Sequence, residues 1–474
     1  MASRKELTRA IDRGPDGPKI GAFFDVDRTL LAGFSAAAFM RDKMASEGID
    51  LIKTMTSIGG AIRFGLNQTS FPAFVEESSG DLVGFTEKEL NEGGERVFNQ
   101  RLATDIYPES RALVEAHQRK GHTVAIISSA THFQIDALAR ELEIEHVLCT
   151  ELEFVDGKFT GKVVRPACFR EGKAEAGKAL AEKCDLDLSK SYFYTDSHDD
   201  LPLLDIVGYP RLVNPDSELS QIASRNGWPV FRFQSRGRPG LRELAGFAAS
   251  MAAFGPAALV GIPAAIASGS LRRGMDMMMS TYADLSTALT GVEVQVDGEE
   301  HLWSHRPAVF IFNHQSGLDP ILMSRLLRRD YVGVAKQELK DTPIIGRLAE
   351  LAGTVFVERG DRAKAIDSLK GAEEAVRQGL SIMIAPEGTR SATKRLGPFK
   401  KGAFRMAMKT GVPIVPIVIK NAHDALPRHA LVIRPATVEV VVHPPISTEG
   451  WKLEDLNDHI AEIHSLYEQT LADD

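Results

Sequence analysis

The amino-acid sequence predicts two α/β domains in tandem, each built on a mostly parallel sheet. Three observations lead there. The chain has 474 residues, more than one ordinary hydrophobic core accommodates. In its first half, apolar runs at 20–24, 124–127 and 192–195 lead into Asp25, Ser128 and Asp196, with helical segments between them. A second series starts at Val292, with apolar runs at 309–312, 354–357, 382–385 and 414–419. Short, wholly apolar runs are the mark of strands buried on both faces, and in such sheets ligands gather outside the carboxyl ends.

Composition supports a globular reading, with 43% hydrophobic and 25% charged residues. The net charge of −8 argues against a nucleic-acid partner. Cys149, Cys168 and Cys184 form no paired metal motif and no even disulfide framework, which fits a reducing compartment. Residues 1–19 carry Arg4, Lys5, Arg9 and Arg13 without an apolar core, so they do not read as a signal peptide.

Between the first and second strands, residues 34–99 have apolar positions at helical intervals and few strand signals. Residues 234–240 (QSRGRPG) read as a linker. Residues 246–270 hold no charge over about 25 positions, enough to span a bilayer if helical. They are rich in Ala and Gly and interrupted by Pro256 and Pro263, which favours an interfacial or re-entrant element over a spanning helix. Arg272 and Arg273 follow, then a helical stripe of Met275, Met278, Met279, Tyr282, Leu285 and Leu289. That stripe suits core packing and lipid contact equally.

The first constellation is Asp25-Val26-Asp27-Arg28-Thr29, directly after a strand. One carboxylate there can attack phosphorus while the other trades a proton with the leaving oxygen. Two anions repel, so the chemistry calls for a cation, and Mg²⁺ suits carboxylate and phosphate oxygens. Ser128 can hydrogen-bond phosphoryl oxygens, Lys173 can neutralise charge, and Asp196 and Asp200 supply further carboxylates. In this order the motifs resemble the haloacid-dehalogenase superfamily of phosphatases, in its phosphoserine-phosphatase-like branch. The resemblance implies a Rossmann-like domain over 18–233 with a helical cap at about 34–104. It implies Asp25 as nucleophile, Asp27 as general acid/base, and Mg²⁺ held by Asp25, the Asp27 carbonyl and Asp196, with Asp200 assisting. Phosphoserine phosphatases resembling this domain usually carry a glutamate nine residues after the nucleophile, to read the substrate ammonium. Phe34 stands there, which speaks against phosphoserine as substrate.

The second constellation is Asn313-His314-Gln315-Ser316-Gly317-Leu318-Asp319, again after a strand. Asp319 can orient the His314 imidazole so that its other nitrogen takes a proton from an alcohol. No Gly-x-Ser-x-Gly is present, so direct attack of a hydroxyl on a thioester is the economical route. Downstream come 353–359 ending in Arg359, then Pro386-Glu387-Gly388-Thr389-Arg390, then the apolar block at 412–417. Together these resemble the glycerolipid acyltransferases that act on 1-acylglycerol-3-phosphate. The resemblance covers 283–474 and implies His314 as base with Asp319 as partner. It further implies Arg359 and Arg390 on the acceptor phosphate, Glu387 and Gly388 along the acceptor site, and Pro413 and Pro416 on the acyl-donor side. Lys400 and Lys401 would meet anionic lipid or the donor's phosphates, or form a solvated basic face.

These readings converge on a bifunctional enzyme, with a regulatory, non-catalytic first domain as the alternative. The expected small molecules are Mg²⁺, lysophosphatidic acid, and acyl-CoA or an acyl-carrier-protein thioester. The expected location is the cytoplasmic face of the cell membrane, monotopic or peripheral, through the linker and helices of 234–282.

Overall fold

The computed structural model describes residues 4–47, 69–342, 345–358, 362–391, 393, 395–428 and 430–472. The chain divides into two compact units, Met1–Arg238 and Pro239–Asp474, and the boundary falls inside the polar 234–240 segment. Both units are α/β, as predicted.

In the first unit, β1 (Gly21–Phe24), β2 (Thr123–Thr131), β3 (His146–Thr150), β6 (Tyr192–Thr195), β7 (Tyr209–Val213) and β8 (Val230–Phe231) form a six-stranded parallel sheet. Its order is β3-β2-β1-β6-β7-β8, so β1 is central and all four of its residues are buried. Phe24 stacks on Tyr194 of the neighbouring strand with ring centroids 4.5 Å apart. Strand β2 runs past Ser128 to Thr131, and its pairing with β3 is irregular between Ile127 and Thr131.

The chain leaves the sheet after β1 for helices at Ser35–Glu47, Phe71–Ser78 and Glu87–Val97, the helical cap that was expected. Residues 48–68 of the predicted cap lie outside the described residues. The Glu87–Val97 helix starts at a capping box, in which Thr86 and Glu89 satisfy each other's backbone N–H groups. An antiparallel pair, β4 (Leu152–Val155) and β5 (Lys158–Val163), was not foreseen. It pairs with the cap through Gly84 N–H to Phe159 O and Phe159 N–H to Phe85 O, both 2.9 Å.

The second unit opens with three helices, Leu241–Ala252, Phe254–Ser268 and Leu271–Thr290. Then come β9 (Val292–Asp297), β10 (Val309–Phe312), β11 (Tyr331–Lys336), β12 (Val355–Val357), β13 (Ser381–Ile384), β14 (Ile414–Ile419) and β15 (Ala436–Val442). They form one sheet in the order β12-β11-β13-β10-β14-β15-β9, with β14 and β15 antiparallel and the other neighbours parallel. The central strands β10 and β14 are buried throughout.

The three helices pack closely because small residues face one another. A Cβ on Gly261 would lie 2.6 Å from Gly274 O and from Met278 Cβ. Ser250 of the first helix and Ser286 of the third hydrogen-bond at 2.6 Å. Met275, Met278 and Tyr282 are buried with Ala253 and Ala257, and Met279 and Leu285 pack against them. Core packing therefore accounts for most of the methionine stripe, while Leu289 is exposed. The opposite side of the first two helices is different. Leu241, Leu244, Met251, Leu259, Ile262 and Ile266 recur at helical spacing and are all exposed, Leu259 and Ile266 to 76% and 77%.

Candidate active sites

In the first unit the reacting groups gather where β1 and β6 end. Asp25 N–H donates to Tyr194 O at 2.9 Å, extending the β1–β6 ladder to the first residue of the motif. The chain then turns tightly, with Leu30 and Leu31 N–H both donating to Val26 O at 2.9 Å. The turn brings Ser35 N–H onto Asp27 Oδ1 at 2.7 Å. Lys173, in the first turn of the helix Glu171–Cys184, reaches Asp25 Oδ1 and Asp200 Oδ1, each at 2.8 Å. Thr195 Oγ1 donates to Asp200 Oδ2 at 2.5 Å, so both Asp200 oxygens are engaged by protein donors. Asp200 thus holds Lys173 in place. Asp196 meets Arg28 Nη1 at 3.0 Å. Ser128 is buried, and its Oγ accepts Ala130 N–H at 3.2 Å.

Burial dominates the electrostatics. It pushes the Asp25 carboxyl up to about 7 against the pull of Lys173. It pushes Asp196 up to about 8, with the Asp25 charge adding to the effect. Asp27 is also raised by burial, opposed by its Ser35 hydrogen bonds. Burial opposes the charge on Lys173, but Asp200 and Asp25 outweigh it and keep the ammonium protonated. Among the described residues no three His, Cys, Asp or Glu side chains converge as a ready metal cage. Mg²⁺ does not need one, since it binds through one or two carboxylates plus water and substrate phosphate. Two carboxyls raised by burial first and by neighbouring carboxylate charge second fit such an ion.

In the second unit the site forms where β10 ends. His314 Nδ1 lies 2.7 Å from Asp319 Oδ2, and Asp319 is fully buried. The same oxygen accepts Gln315 N–H at 2.9 Å and Ser316 N–H at 2.8 Å. A carboxylate only accepts, so Nδ1 carries the proton and Nε2 presents its lone pair. Glu387 Oε1 accepts the His314 backbone N–H at 2.8 Å, and its Oε2 accepts Gly397 N–H at 2.9 Å. Both Glu387 oxygens therefore bind the protein's own backbone, and burial raises its pKa. Ser391 N–H donates to His314 O at 2.8 Å, so the 387–391 loop grips the histidine's main chain on both sides. Gly388 has φ +72°, and a Cβ there would sit 2.6 Å from Lys400 Nζ. Arg390 Nη1 donates to Arg428 O at 3.2 Å and lies beside Gly317. Arg359, expected on the acceptor phosphate, lies outside the described residues.

One supporting residue, Tyr467, was not visible in the sequence, and the bridging role of Asn313 was not either. Of Pro413 and Pro416, expected on the acyl-donor side, Pro416 is buried inside β14, in register with Ile311 of β10. One residue further on, a side-chain hydroxyl also joins the two strands. Ile417 N–H donates to the Tyr467 hydroxyl at 3.1 Å, and that hydroxyl donates to Ile311 O at 2.8 Å. Beyond it, Asn313 Nδ2 donates to Ile419 O at 2.8 Å, and Ile419 N–H donates to Asn313 Oδ1 at 2.7 Å. Side chains thus bridge β10 and β14 where the 313–319 loop begins. Tyr467 comes from the last helix, Leu456–Ala472, far from any motif.

These features describe a phosphatase-like unit followed by an acyl-transfer unit, and comparison with known proteins agrees. Residues 22–205 match the haloacid dehalogenase-like hydrolase family, and residues 293–420 match the acyltransferase family. A phosphoserine phosphatase of Mycobacterium tuberculosis is 30% identical over 253 residues, 52% of this chain and 76% of that protein. An uncharacterised acyltransferase of Schizosaccharomyces pombe is 32% identical over 203 residues, 42% of this chain and 73% of that protein. A 1-acyl-sn-glycerol-3-phosphate acyltransferase of Cocos nucifera is 38% identical over 180 residues, 38% of this chain and 58% of that protein. The chain spans 58–65% of the length of the first four acyltransferases it matches. The chain belongs to the haloacid dehalogenase-like hydrolases through its first unit and to the acyltransferases through its second.

The Tyr467 bridge yields a test. Tyr467→Phe leaves Ile311 O and Ile417 N–H without the hydroxyl between them, which costs about 1–3 kcal/mol. Because β10 carries His314, kcat for acyl transfer is expected to fall roughly tenfold with KM little changed. An unchanged kcat in the folded variant would mean that the bridge does not position His314.

Proposed function

We propose that the chain is a bifunctional enzyme: a Mg²⁺-dependent phosphomonoesterase in its first unit and a 1-acylglycerol-3-phosphate acyltransferase in its second. The observation that carries the second activity is the buried Asp319 holding Nδ1 of His314, which leaves Nε2 as the basic nitrogen. His314 Nε2 takes the proton of the acceptor's free hydroxyl as its oxygen attacks the thioester carbonyl of acyl-CoA or acyl-carrier protein. The carbonyl then re-forms, the thiol leaves with a proton, and phosphatidic acid is the product. Arg359 and Arg390 bind the acceptor phosphate, and Lys400 and Lys401 add positive charge nearby. Gly388 lines the acceptor site, and Glu387 serves it by fixing the His314 backbone.

In the first unit Asp25 attacks phosphorus and becomes an aspartyl-phosphate, while Asp27 protonates the leaving oxygen. Asp27 next takes a proton from the water that hydrolyses the acyl phosphate. Lys173 and Ser128 hold the phosphoryl oxygens, and Asp200 holds Lys173. Mg²⁺ bound by Asp25, Asp196 and the Asp27 carbonyl would neutralise charge as the two anions meet. The alcohol released is left open, and Phe34 weighs against phosphoserine.

The test is a pair of assays on the full chain: phosphate release from p-nitrophenyl phosphate, and acyl transfer to lysophosphatidic acid. His314→Ala is expected to remove acyl transfer by at least about a thousandfold and to leave Mg²⁺-dependent phosphate release intact. Chelating Mg²⁺ should do the reverse. Loss of both activities together in a folded His314→Ala protein would refute independent sites.

We also place the enzyme on the cytoplasmic membrane face, as a monotopic protein. Leu241–Ser268 is long and apolar enough to cross a bilayer by length and composition, with mean hydropathy 1.6 over its most apolar window. One side of it is committed to the Leu271–Thr290 helix, which packs in turn on Ile321, Leu348 and Ala352 of the same unit. Only the other side is apolar and exposed, which suits a helix lying in the interface plane. Leu259→Asp with Ile266→Asp alters exposed positions alone. Binding to phosphatidylglycerol vesicles is expected to fall at least about tenfold, with phosphate release retained. Unchanged vesicle binding would rule out this face as the anchor.

A further inference from the structure

Arg28 stands at a position that its chemistry does not suit. Its φ is +59°, a left-handed backbone that favours glycine, in the turn between Asp27 and the cap. A large residue kept in such a conformation points to a task for its side chain. The side chain reaches back into the site, placing Nη1 3.0 Å from Asp196 Oδ2 and Nη2 3.4 Å from Asn214 O. The two partners differ in freedom: the Asp196 side chain is 8% exposed, the Arg28 side chain 39%. Lys173, the other cation of the site, is buried and gripped by both Asp25 and Asp200. Lys173 is fixed, whereas Arg28 is half-exposed on a long flexible stem.

We propose that Arg28 is a positioning residue with two alternative anionic partners. Without a divalent cation it holds the Asp196 carboxylate. When Mg²⁺ takes that carboxylate, the guanidinium is released and turns to the oxygens of the substrate's phosphoryl group. The charges favour this exchange. The cation that displaces Arg28 satisfies Asp196, and the incoming phosphate dianion restores a partner to the guanidinium, in a planar geometry that suits two hydrogen bonds. Arg28 therefore competes with Mg²⁺ and cooperates with phosphate. Its removal is therefore expected to strengthen Mg²⁺ binding and to weaken phosphate binding. The inference rests on the phosphatase reading of the first unit and adds a residue to it.

The experiment measures binding rather than turnover, by titration calorimetry on the full chain. Mg²⁺ is titrated alone, then inorganic phosphate is titrated into the Mg²⁺-loaded protein. Arg28→Ala is expected to bind Mg²⁺ about fivefold more tightly than the wild type. It is expected to bind phosphate about tenfold more weakly. Arg28→Gly, which suits the positive φ and keeps the turn unstrained, should show the same pair of shifts. Arg170, whose guanidinium pairs with Asp199 at 2.7 Å, controls for loss of a nearby positive charge, and Arg170→Ala should leave Mg²⁺ affinity near the wild-type value. Mg²⁺ affinity that is unchanged or weaker in both Arg28 variants overturns the proposal, as does unchanged phosphate affinity or an equal Mg²⁺ shift in Arg170→Ala. A wild-type chain that binds no Mg²⁺ and releases no phosphate from p-nitrophenyl phosphate would instead overturn the phosphatase reading itself.

Discussion

A carboxylate buried at the end of a parallel strand must be supplied with donors, and both units are arranged around that demand. Desolvating a carboxylate costs several kcal/mol unless cations or N–H groups replace the lost water. The second unit answers with fixed protein groups, two backbone N–H groups and an imidazole on one oxygen of Asp319. The first unit answers only in part. Lys173 serves Asp25 and Asp200, yet Asp25 and Asp196 remain raised to about 7 and about 8. The two sites thus meet the demand differently: Asp319 through one oxygen, its Oδ1 being buried without a hydrogen-bond partner, and the first unit through two cations, Lys173 and Arg28.

The same demand explains the second ring of contacts. Glu387 spends both oxygens on the backbone of His314 and Gly397, and Asp200 spends both on Lys173 and Thr195. These carboxylates fix the position of reacting groups and leave little capacity for substrate. The Tyr467 hydroxyl and the Asn313 amide do comparable work between β10 and β14. Side-chain bridges thus reinforce the pairing of β10 and β14 at the strand ends, where His314 follows.

Strands buried on both faces were legible in the sequence, because nothing polar interrupts them: β1, β6, β10 and β14 appear where the apolar runs stand. Strands without a plain apolar run were not, whereas the edge strand β12 was, at 354–357. β3 is mostly half-buried, β7 contains Pro210, and β9 and β15 alternate in burial, so none forms a plain apolar run. The site was legible where its partners are close in sequence, as with His314 and Asp319. It was illegible where they are far apart, as with Arg28 near Asn214, Glu387 on His314, or Tyr467 between two strands. No local pattern records such contacts, since they depend on which elements the topology brings together.

In the chemistry proposed for the first unit, Asp25 itself accepts the phosphoryl group. The direct measurement is to mix the full chain with Mg²⁺ and p-nitrophenyl phosphate, quench in acid within the first turnovers, and map covalent phosphate by peptide mass spectrometry. The account predicts acid-stable, base-labile phosphate on the peptide carrying Asp25, absent from Asp25→Asn. Phosphate on another residue, or full turnover by Asp25→Asn, would contradict it.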